Sequence, residues 1–88
     1  MPSPSSEYFE LLVESFVPAA TGGHRGRVHV RPVTGQGIDP TLLVECSREM
    51  TDDYPVGTRF LVRAKLSQRL GGSTFVKAPY AFGYSVVA

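Results

Sequence analysis

Apolar and polar residues alternate most regularly over residues 58–69, and this alternation predicts a long β-strand. One set of positions is apolar and is expected to face a core: Phe60, Val62, Ala64 and Leu66. The intervening set is mostly polar and is expected to face water: Arg59, Leu61, Arg63, Lys65 and Ser67. Pro55 and Gly57 suit a tight turn before this strand, and Gly71-Gly72 suits a hairpin turn after it. Residues 73–78 then return as the second strand of the hairpin.

Burial selects between two registers of this hairpin. A two-residue loop would place Val76 among the basic residues, whereas a three-residue loop over residues 70–72 keeps one face wholly apolar. We therefore predict the three-residue loop. The pairs that it implies are Leu66 with Val76, Ala64 with Ala78, Val62 with Tyr80, Phe60 with Phe82, Lys65 with Lys77, and Ser67 with Phe75.

The segment 7–17 fits two structures. As a helix it would bury one stripe: Phe9, Leu12, Val13, Phe16 and Val17. As a strand it would turn four residues inward, Phe9, Leu11, Val13 and Val17, and would turn Glu10 and Glu14 outward. We predict the strand, because Pro18 and the Gly22-Gly23 turn lead directly into a second clear strand.

The other segments are shorter. Residues 25–33 alternate, with Val28 and Val30 on one side, and Pro32 marks an edge or the end of that strand. Residues 34–40 are a loop by composition, residues 41–47 suit a buried strand, and residues 48–53 suit a helical turn or a loop. In residues 79–87 one face carries Tyr80, Phe82, Tyr84 and Val86. The three aromatic residues are candidates for a base-stacking platform, but the predicted register turns them to the same side as Phe60 and Val62, so we predict a core role for them.

Five strand segments separated by turns predict an all-β, mainly antiparallel domain with at most one short helix. A small barrel or curved sheet is the economical arrangement, because closure removes exposed strand edges. The order of the segments is OB-like, meaning that it resembles the oligonucleotide/oligosaccharide-binding architecture at the level of the fold alone. Residues 7–88 are expected to form this single domain, and the Pro/Ser-rich residues 1–6 a disordered tail. The predicted central cluster is Phe60, Val62, Leu66, Val76 and Phe82.

Composition narrows the functional classes. The net charge is only +1, so attraction to a polyanion has to come from local placement of charge. Cys46 is the single cysteine, which rules out an internal disulfide and favours a reducing, cytoplasmic location. The sequence has no long apolar run and no signal-peptide pattern, so we expect no membrane association. It carries no signal for oligomeric state.

The best candidate for a functional surface is the basic face of the central hairpin. Its residues are Arg59, Arg63, Lys65, Arg69, Phe75 and Lys77. The predicted register sets Lys65 against Lys77, and like charges directly opposite each other destabilise a sheet. Arginine and lysine can follow a phosphate backbone while a part-exposed Phe75 stacks on a base, so single-stranded nucleic acid is the first hypothesis. An acidic surface on a partner protein is the alternative, with Leu61 and Phe75 as an apolar centre, and a solvated strand face is the simplest explanation.

A second basic row has an ordinary structural explanation. Its residues are Arg25, Arg27, His29 and Arg31. If Glu14 lies opposite Arg27 and Glu10 opposite Arg31, then cross-strand ion pairs account for much of the row.

Catalytic and metal chemistry have weak support. Cys46, His24 or His29, and Asp39 supply the residue types of a nucleophilic triad, but no local motif accompanies them. Cys46 lies in an apolar run and is expected to be buried and unreactive. One cysteine and two histidines show no metal-ligand spacing, and no glycine-rich stretch matches a nucleotide-binding loop. We predict a non-catalytic binding module without a cofactor.

Overall fold

The computed structural model describes residues 8–18 and 27–88, and these residues are mostly β-structure. The elements in chain order are β1 (Phe9–Phe16), β2 (His29–Pro32), β3 (Val44–Glu45), a helix α1 (Glu49–Asp52), β4 (Arg59–Gln68), β5 (Thr74–Lys77), a 3-10 turn (Tyr80–Phe82) and β6 (Tyr84–Val86). No helix in these two ranges is long and apolar enough to cross a membrane. The predicted Gly22-Gly23 turn and the predicted disordered tail lie outside the described residues.

The strands form one curved, barrel-like sheet. The strand order is β2-β1-β4-β5-β3, and β6 also pairs with β4, beside the end of β5. The outermost strands β2 and β3 approach each other, which nearly closes the barrel. The predicted all-β barrel with one short helix is therefore confirmed, and its topology is consistent with an OB-like arrangement. Two details differ: the described residues form six strands, and the β3–β5 pair is parallel.

The ambiguous N-terminal segment is a strand, as predicted. Leu11 and Val13 are buried, and Ser15 is buried at the next inward position. Ser15 satisfies its polar group there, because its hydroxyl accepts the N–H of Gly57 at 3.1 Å. The predicted inward orientation of Val17 is wrong, since Val17 lies beyond the end of β1 and is exposed.

The predicted strand over residues 41–47 is mostly wrong. Only Val44 and Glu45 join the ladder, and Leu43 is exposed. The Asp39 carboxylate accepts the N–H of Thr41 at 2.8 Å, and the Asp39 carbonyl accepts the N–H of Leu42 at 3.2 Å. This local turn occupies the beginning of the run, because aspartate competes for backbone donors. The next segment forms α1, which buries Met50 in the core.

The register of the central hairpin is confirmed up to Lys77. Leu66 pairs with Val76, Lys65 with Lys77, and Ser67 with Phe75. The N–H of Arg69 donates to the Ser73 carbonyl at 2.9 Å and closes the three-residue loop. Gly71 and Gly72 both have φ near +98°, a conformation that other residues rarely adopt.

The register after Pro79 is wrong by four residues. Val62 pairs with Tyr84 and Phe60 with Val86, where we expected Tyr80 and Phe82. The 3-10 turn inserts the extra length, and Gly83, at φ +67°, returns the chain to the ladder. Because the shift is an even number of residues, the alternation of faces survives. Tyr80 and Phe82 leave the ladder and are 73% and 48% exposed, so their expected place in the core is wrong.

The core lies between the curved sheet and α1. Of the predicted cluster, Phe60, Val62 and Val76 are buried. Leu66 is 49% exposed and does not belong to it. The pairing of β1 with β4 ends at Phe9 and Ala64, so the hairpin continues past the strand that would have covered Leu66. At the centre, the Phe60 ring meets the rings of Tyr54 and Tyr84 edge to face, with centroids 5.2 and 5.5 Å apart.

Phe60→Ala is expected to lower the free energy of unfolding by about 3–5 kcal/mol, the usual cost of emptying the site of a buried aromatic ring. Urea denaturation measures this loss. Leu66→Ala on the same strand and the same side is the matched control, and it should cost less than about 1 kcal/mol. Equal losses for the two variants would contradict the described boundary of the core.

Candidate functional site

The six predicted site residues lie on β4, on β5 and at the beginning of the loop between them. Arg59, Arg63 and Lys65 occupy alternate positions on β4, and Lys77 lies beside Lys65 on β5. Arg69 follows β4 directly, and Phe75 lies across from Ser67. The contacts of these residues divide them into three groups.

The first group is Arg69 with Phe75. The Arg69 guanidinium lies over the Phe75 ring, 4.4 Å from its centroid, and its Nη2 is 2.6 Å from Oε1 of Glu45. Phe75 is only 9% exposed, so the prediction of a part-exposed ring is wrong. A cation placed over the ring removes apolar surface from water, which a sequence pattern of period two does not reveal.

The second group is Arg59 with its neighbours on β1 and β2. Glu14 lies between Arg31 and Arg59 in the register of the three strands, and it binds both. The predicted pairs of Glu14 with Arg27 and Glu10 with Arg31 are wrong in register, although the expected cross-strand ion pairing with the β2 row does occur. The hydrogen bond from Arg59, and then that from Arg31, lowers the pKa of the Glu14 carboxyl.

The third group is Arg63, Lys65 and Lys77. The two lysines are directly opposite each other, as predicted. The Lys65 ammonium lies 5.2 Å from the centroid of the Tyr8 ring. Among the described residues, Arg63 and Lys77 form no ion pair. Acidic neighbours are nevertheless close in register: Glu10 lies across from Arg63, and Glu45, which binds Arg69, lies beside Lys77.

An exposed aromatic residue lies next to this third group. The rings of Tyr8 and Phe82 meet edge to face with centroids 4.9 Å apart. Phe82 also borders a shallow groove beside β4, whose lining includes Leu61, Arg63, Ser85 and the acidic residue Glu10. We call this combination the basic–aromatic surface, and its residues are Tyr8, Arg63, Lys65, Lys77 and Phe82.

The sequence analysis missed Tyr8, and it assigned Phe82 to the core in preference to a base-stacking role. The available signal was Pro79, which cannot donate to a ladder, followed by Gly83, which can take positive φ. Together they indicate an interruption of the last strand, and an interrupted strand pushes its aromatic residues outward.

Tyr84 does have the predicted role in the core. Its ring packs on Phe60, and its hydroxyl donates to Oε2 of Glu49 at 3.1 Å and lies 3.4 Å from the Tyr54 hydroxyl. The hydrogen bond with Tyr54, followed by burial and by Glu49, raises the pKa of Tyr84. These bonds join β6 to α1 below the groove.

The remaining candidates have local structural contacts. Arg27 borders a depression beside α1, and His29 packs against Phe16 with ring centroids 6.2 Å apart. Arg25 and His24 lie outside the described residues. In residues 8–18 and 27–88, no three His, Cys, Asp or Glu side chains are grouped as metal ligands would be. That the chain is not an enzyme stays a prediction.

Cys46 is half-buried and packs against the core. Burial raises the pKa of its thiol to about 11. Because the thiolate is the reactive form, a raised pKa lowers reactivity at neutral pH.

We expect the native protein to react slowly with a thiol reagent at pH 7.5 and rapidly in urea, where burial no longer suppresses the thiolate. The rate in the native state should rise with pH towards the raised pKa of about 11. The absorbance of the chromophore that the reagent releases measures this rate. Because Cys46 is the single cysteine, all of the labelling occurs at Cys46. Equal rates for native and unfolded protein at pH 7.5 would show an accessible, activated thiol.

Comparison with known proteins assigns no relative to this chain. No protein-family model, no curated protein and no solved structure matches it. The assignment of the candidate site consequently rests on geometry alone. A basic–aromatic surface lies beside three arginines that carboxylates already bind: Arg31 and Arg59 at Glu14, and Arg69 at Glu45.

Proposed function

We propose that this protein is a non-catalytic binding module for single-stranded nucleic acid, and that the strand lies on the basic–aromatic surface. The observation that carries the proposal is a half-exposed Phe82 ring that packs edge to face with Tyr8 and borders one groove with Arg63, while Lys65, opposite Lys77, lies near Tyr8. An aromatic ring among cations is the combination that sequence-tolerant single-strand binders use.

The two kinds of side chain would have separate tasks. Phe82 is half-exposed and offers ring surface on which a base can stack, because an edge-to-face contact with Tyr8 covers at most one of its two faces. Arg63 and Lys77 offer charges to the backbone phosphates, and Lys65 adds a third charge above Tyr8. The groove along β4 joins the two functions, since it passes both Phe82 and Arg63.

The opposed lysines add a thermodynamic argument. Two like charges directly across a ladder repel each other, and they cost stability where no other group offsets the repulsion. A phosphate between the two ammonium groups would attract both of them.

Of the six predicted site residues, we assign the direct phosphate contacts to Arg63, Lys65 and Lys77. The stacking role passes from Phe75 to Phe82, because Arg69 covers the Phe75 ring. Arg59 and Arg69 belong to the border of the surface, since each is engaged by a carboxylate. Small OB-type barrels bind oligonucleotides on strand faces and adjoining loops, and an OB-like assignment of this barrel would agree with the proposal without establishing it.

Binding should be detectable by NMR titration with a short mixed-sequence single-stranded oligonucleotide. We expect shifts that concentrate at the basic–aromatic surface. With three phosphate contacts, the association constant should fall about 20-fold when the salt concentration is raised fourfold. Absence of any shift at low salt would eliminate the proposal.

Phe82→Ala tests the stacking contact. Loss of one stacked base should weaken binding about 5–150-fold. Tyr80→Ala is the matched control, because Tyr80 lies in the same 3-10 turn, is more exposed and should have little effect. A polyglutamate peptide tests the alternative, an acidic partner protein. If the peptide binds as tightly as the oligonucleotide, and Phe82→Ala weakens neither interaction, the surface fits an acidic partner protein instead.

A further inference from the structure

A row of alternating charges crosses three strands at the end of β4 opposite to the lysine pair. Arg31 on β2, Glu14 on β1 and Arg59 on β4 are cross-strand neighbours. Adjacent strands are about 4.8 Å apart, so the three side chains lie side by side across the sheet. We call this row the Arg–Glu–Arg ladder.

Glu14 fixes both arginines. Its Oε1 lies 3.3 Å from Nη2 of Arg31, and its Oε2 lies 3.1 Å from Nε of Arg59. The Arg31 guanidinium is held further by the Phe16 ring, whose centroid lies 4.3 Å away. The two guanidinium groups are consequently ordered before any ligand arrives, which reduces the entropic cost of binding.

The ladder leaves most of its donors unused. A guanidinium carries five N–H groups, and the ion pairs with Glu14 engage one nitrogen of each arginine. Both side chains are 45% exposed. The ion pairs thus explain where the two guanidinium groups lie, and they leave the remaining N–H donors exposed for a ligand.

The arginines border a surface depression. Its other lining residues come from β1, from the end of β2 and from the β2–β3 loop: Glu14, Pro32, Val33, Thr34, Pro40 and Thr41. Gln36 pins this loop to β1, because its Nε2 donates to the Leu12 carbonyl at 2.8 Å and its Oε1 accepts the Leu12 N–H at 2.8 Å. The loop that lines the depression is therefore anchored to β1, and the exposed residue Thr34 belongs to this lining.

The charges around the depression favour an anion modestly. Among its lining residues, two arginines oppose the one carboxylate of Glu14. Asp39 is nearby, and its carboxylate is engaged by the N–H and the hydroxyl of Thr41 at 2.8 and 2.7 Å. These bonds lower the pKa of Asp39, so it stays charged and reduces the net attraction. A ligand must therefore gain from directional hydrogen bonds as well as from charge.

We propose that Arg31 and Arg59 form an oxyanion subsite that takes a phosphate group in this depression. The planar fork of arginine matches phosphate oxygens with paired hydrogen bonds, which a lysine in the same place would not supply. Threonine hydroxyls are common additional donors to phosphate, and we assign that role to Thr34 because it lines the depression.

The same chemistry has two sources, a free phosphate or the backbone of a nucleic acid. Arg59 and Lys65 are six residues apart on β4, which corresponds to about 20 Å. A single strand seated on the basic–aromatic surface could extend over this distance and place a further phosphate in the depression. The subsite itself does not depend on the proposed function, because inorganic phosphate can occupy it alone.

Inorganic phosphate is the probe for the subsite. Titration into the full chain, followed by NMR of the arginine side chains, should give saturable shifts at Arg31 and Arg59, at a constant ionic strength set by chloride. Arg31→Gln and Arg59→Gln should each weaken phosphate binding about tenfold or more, as expected when a charge-assisted pair is lost. Arg48→Gln is the control, since Arg48 borders the different depression beside α1.

Two milder variants protect the test against loss of folding. Arg31→Lys keeps the charge but removes the fork, so it should weaken phosphate binding while the amide spectrum stays native. Thr34→Val removes one donor at an exposed position and should have a smaller effect in the same direction. Linear, non-saturating shifts, or equal shifts at Arg48, would overturn the subsite.

An oligonucleotide competition separates the two sources. Suppose that phosphate, added to the oligonucleotide complex, reverses the oligonucleotide-induced shifts at Arg31 and Arg59 and leaves the other shifts in place. A backbone phosphate of the strand then occupies the subsite. If phosphate binds saturably but the oligonucleotide never reaches Arg31 or Arg59, the subsite serves free phosphate or a small phosphorylated ligand. In both cases the subsite holds, and a failure of oligonucleotide binding overturns the proposed function alone.

Discussion

The pairing of β4 with three other strands is the interaction on which the structure depends. One edge of β4 is bound by β1, and the other edge is bound first by β6 and then by β5. Phe60 lies at the crossing of β1, β4 and β6, fully buried against Tyr54 and Tyr84. Since so short a chain can enclose only a modest core, much of its cooperativity must come from this single strand and its central ring.

The limited core also explains why cations cover aromatic rings on this protein. Arg31 lies over Phe16, Arg69 over Phe75, and Lys65 near Tyr8. Each pair shields apolar surface on the outer side of the sheet, where residues 8–18 and 27–88 form no second layer. The basic residues of β4 and its neighbours therefore serve packing first, and only part of their charge is left for a ligand.

The outer face of the sheet therefore contains three regions that differ in how much of their charge is already used by neighbouring side chains. Around Arg69 the charge is used by Glu45 and Phe75. At the Arg–Glu–Arg ladder, one carboxylate orders two guanidinium groups and leaves donors exposed. On the basic–aromatic surface, Phe82 packs against Tyr8 and stays half-exposed beside Arg63. The two proposed sites lie in the last two regions, because there the side chains are held in place while N–H donors or ring surface stay exposed.

The sequence by itself determined the alternation of β4, the hairpin register and the all-β class, since each of these follows from local periodicity and from glycine at the turn. It also determined the opposition of Lys65 and Lys77, which depends on that register alone. Only the tertiary structure decided that Leu66 is exposed, that Phe82 replaces Phe75 as the accessible ring and that Glu14 lies between Arg31 and Arg59. Each of these depends on where a neighbouring strand ends or on how far the 3-10 turn shifts the register of β6 on β4. The side-chain periodicity of one strand carries no information about the length or the register of the strand that pairs with it.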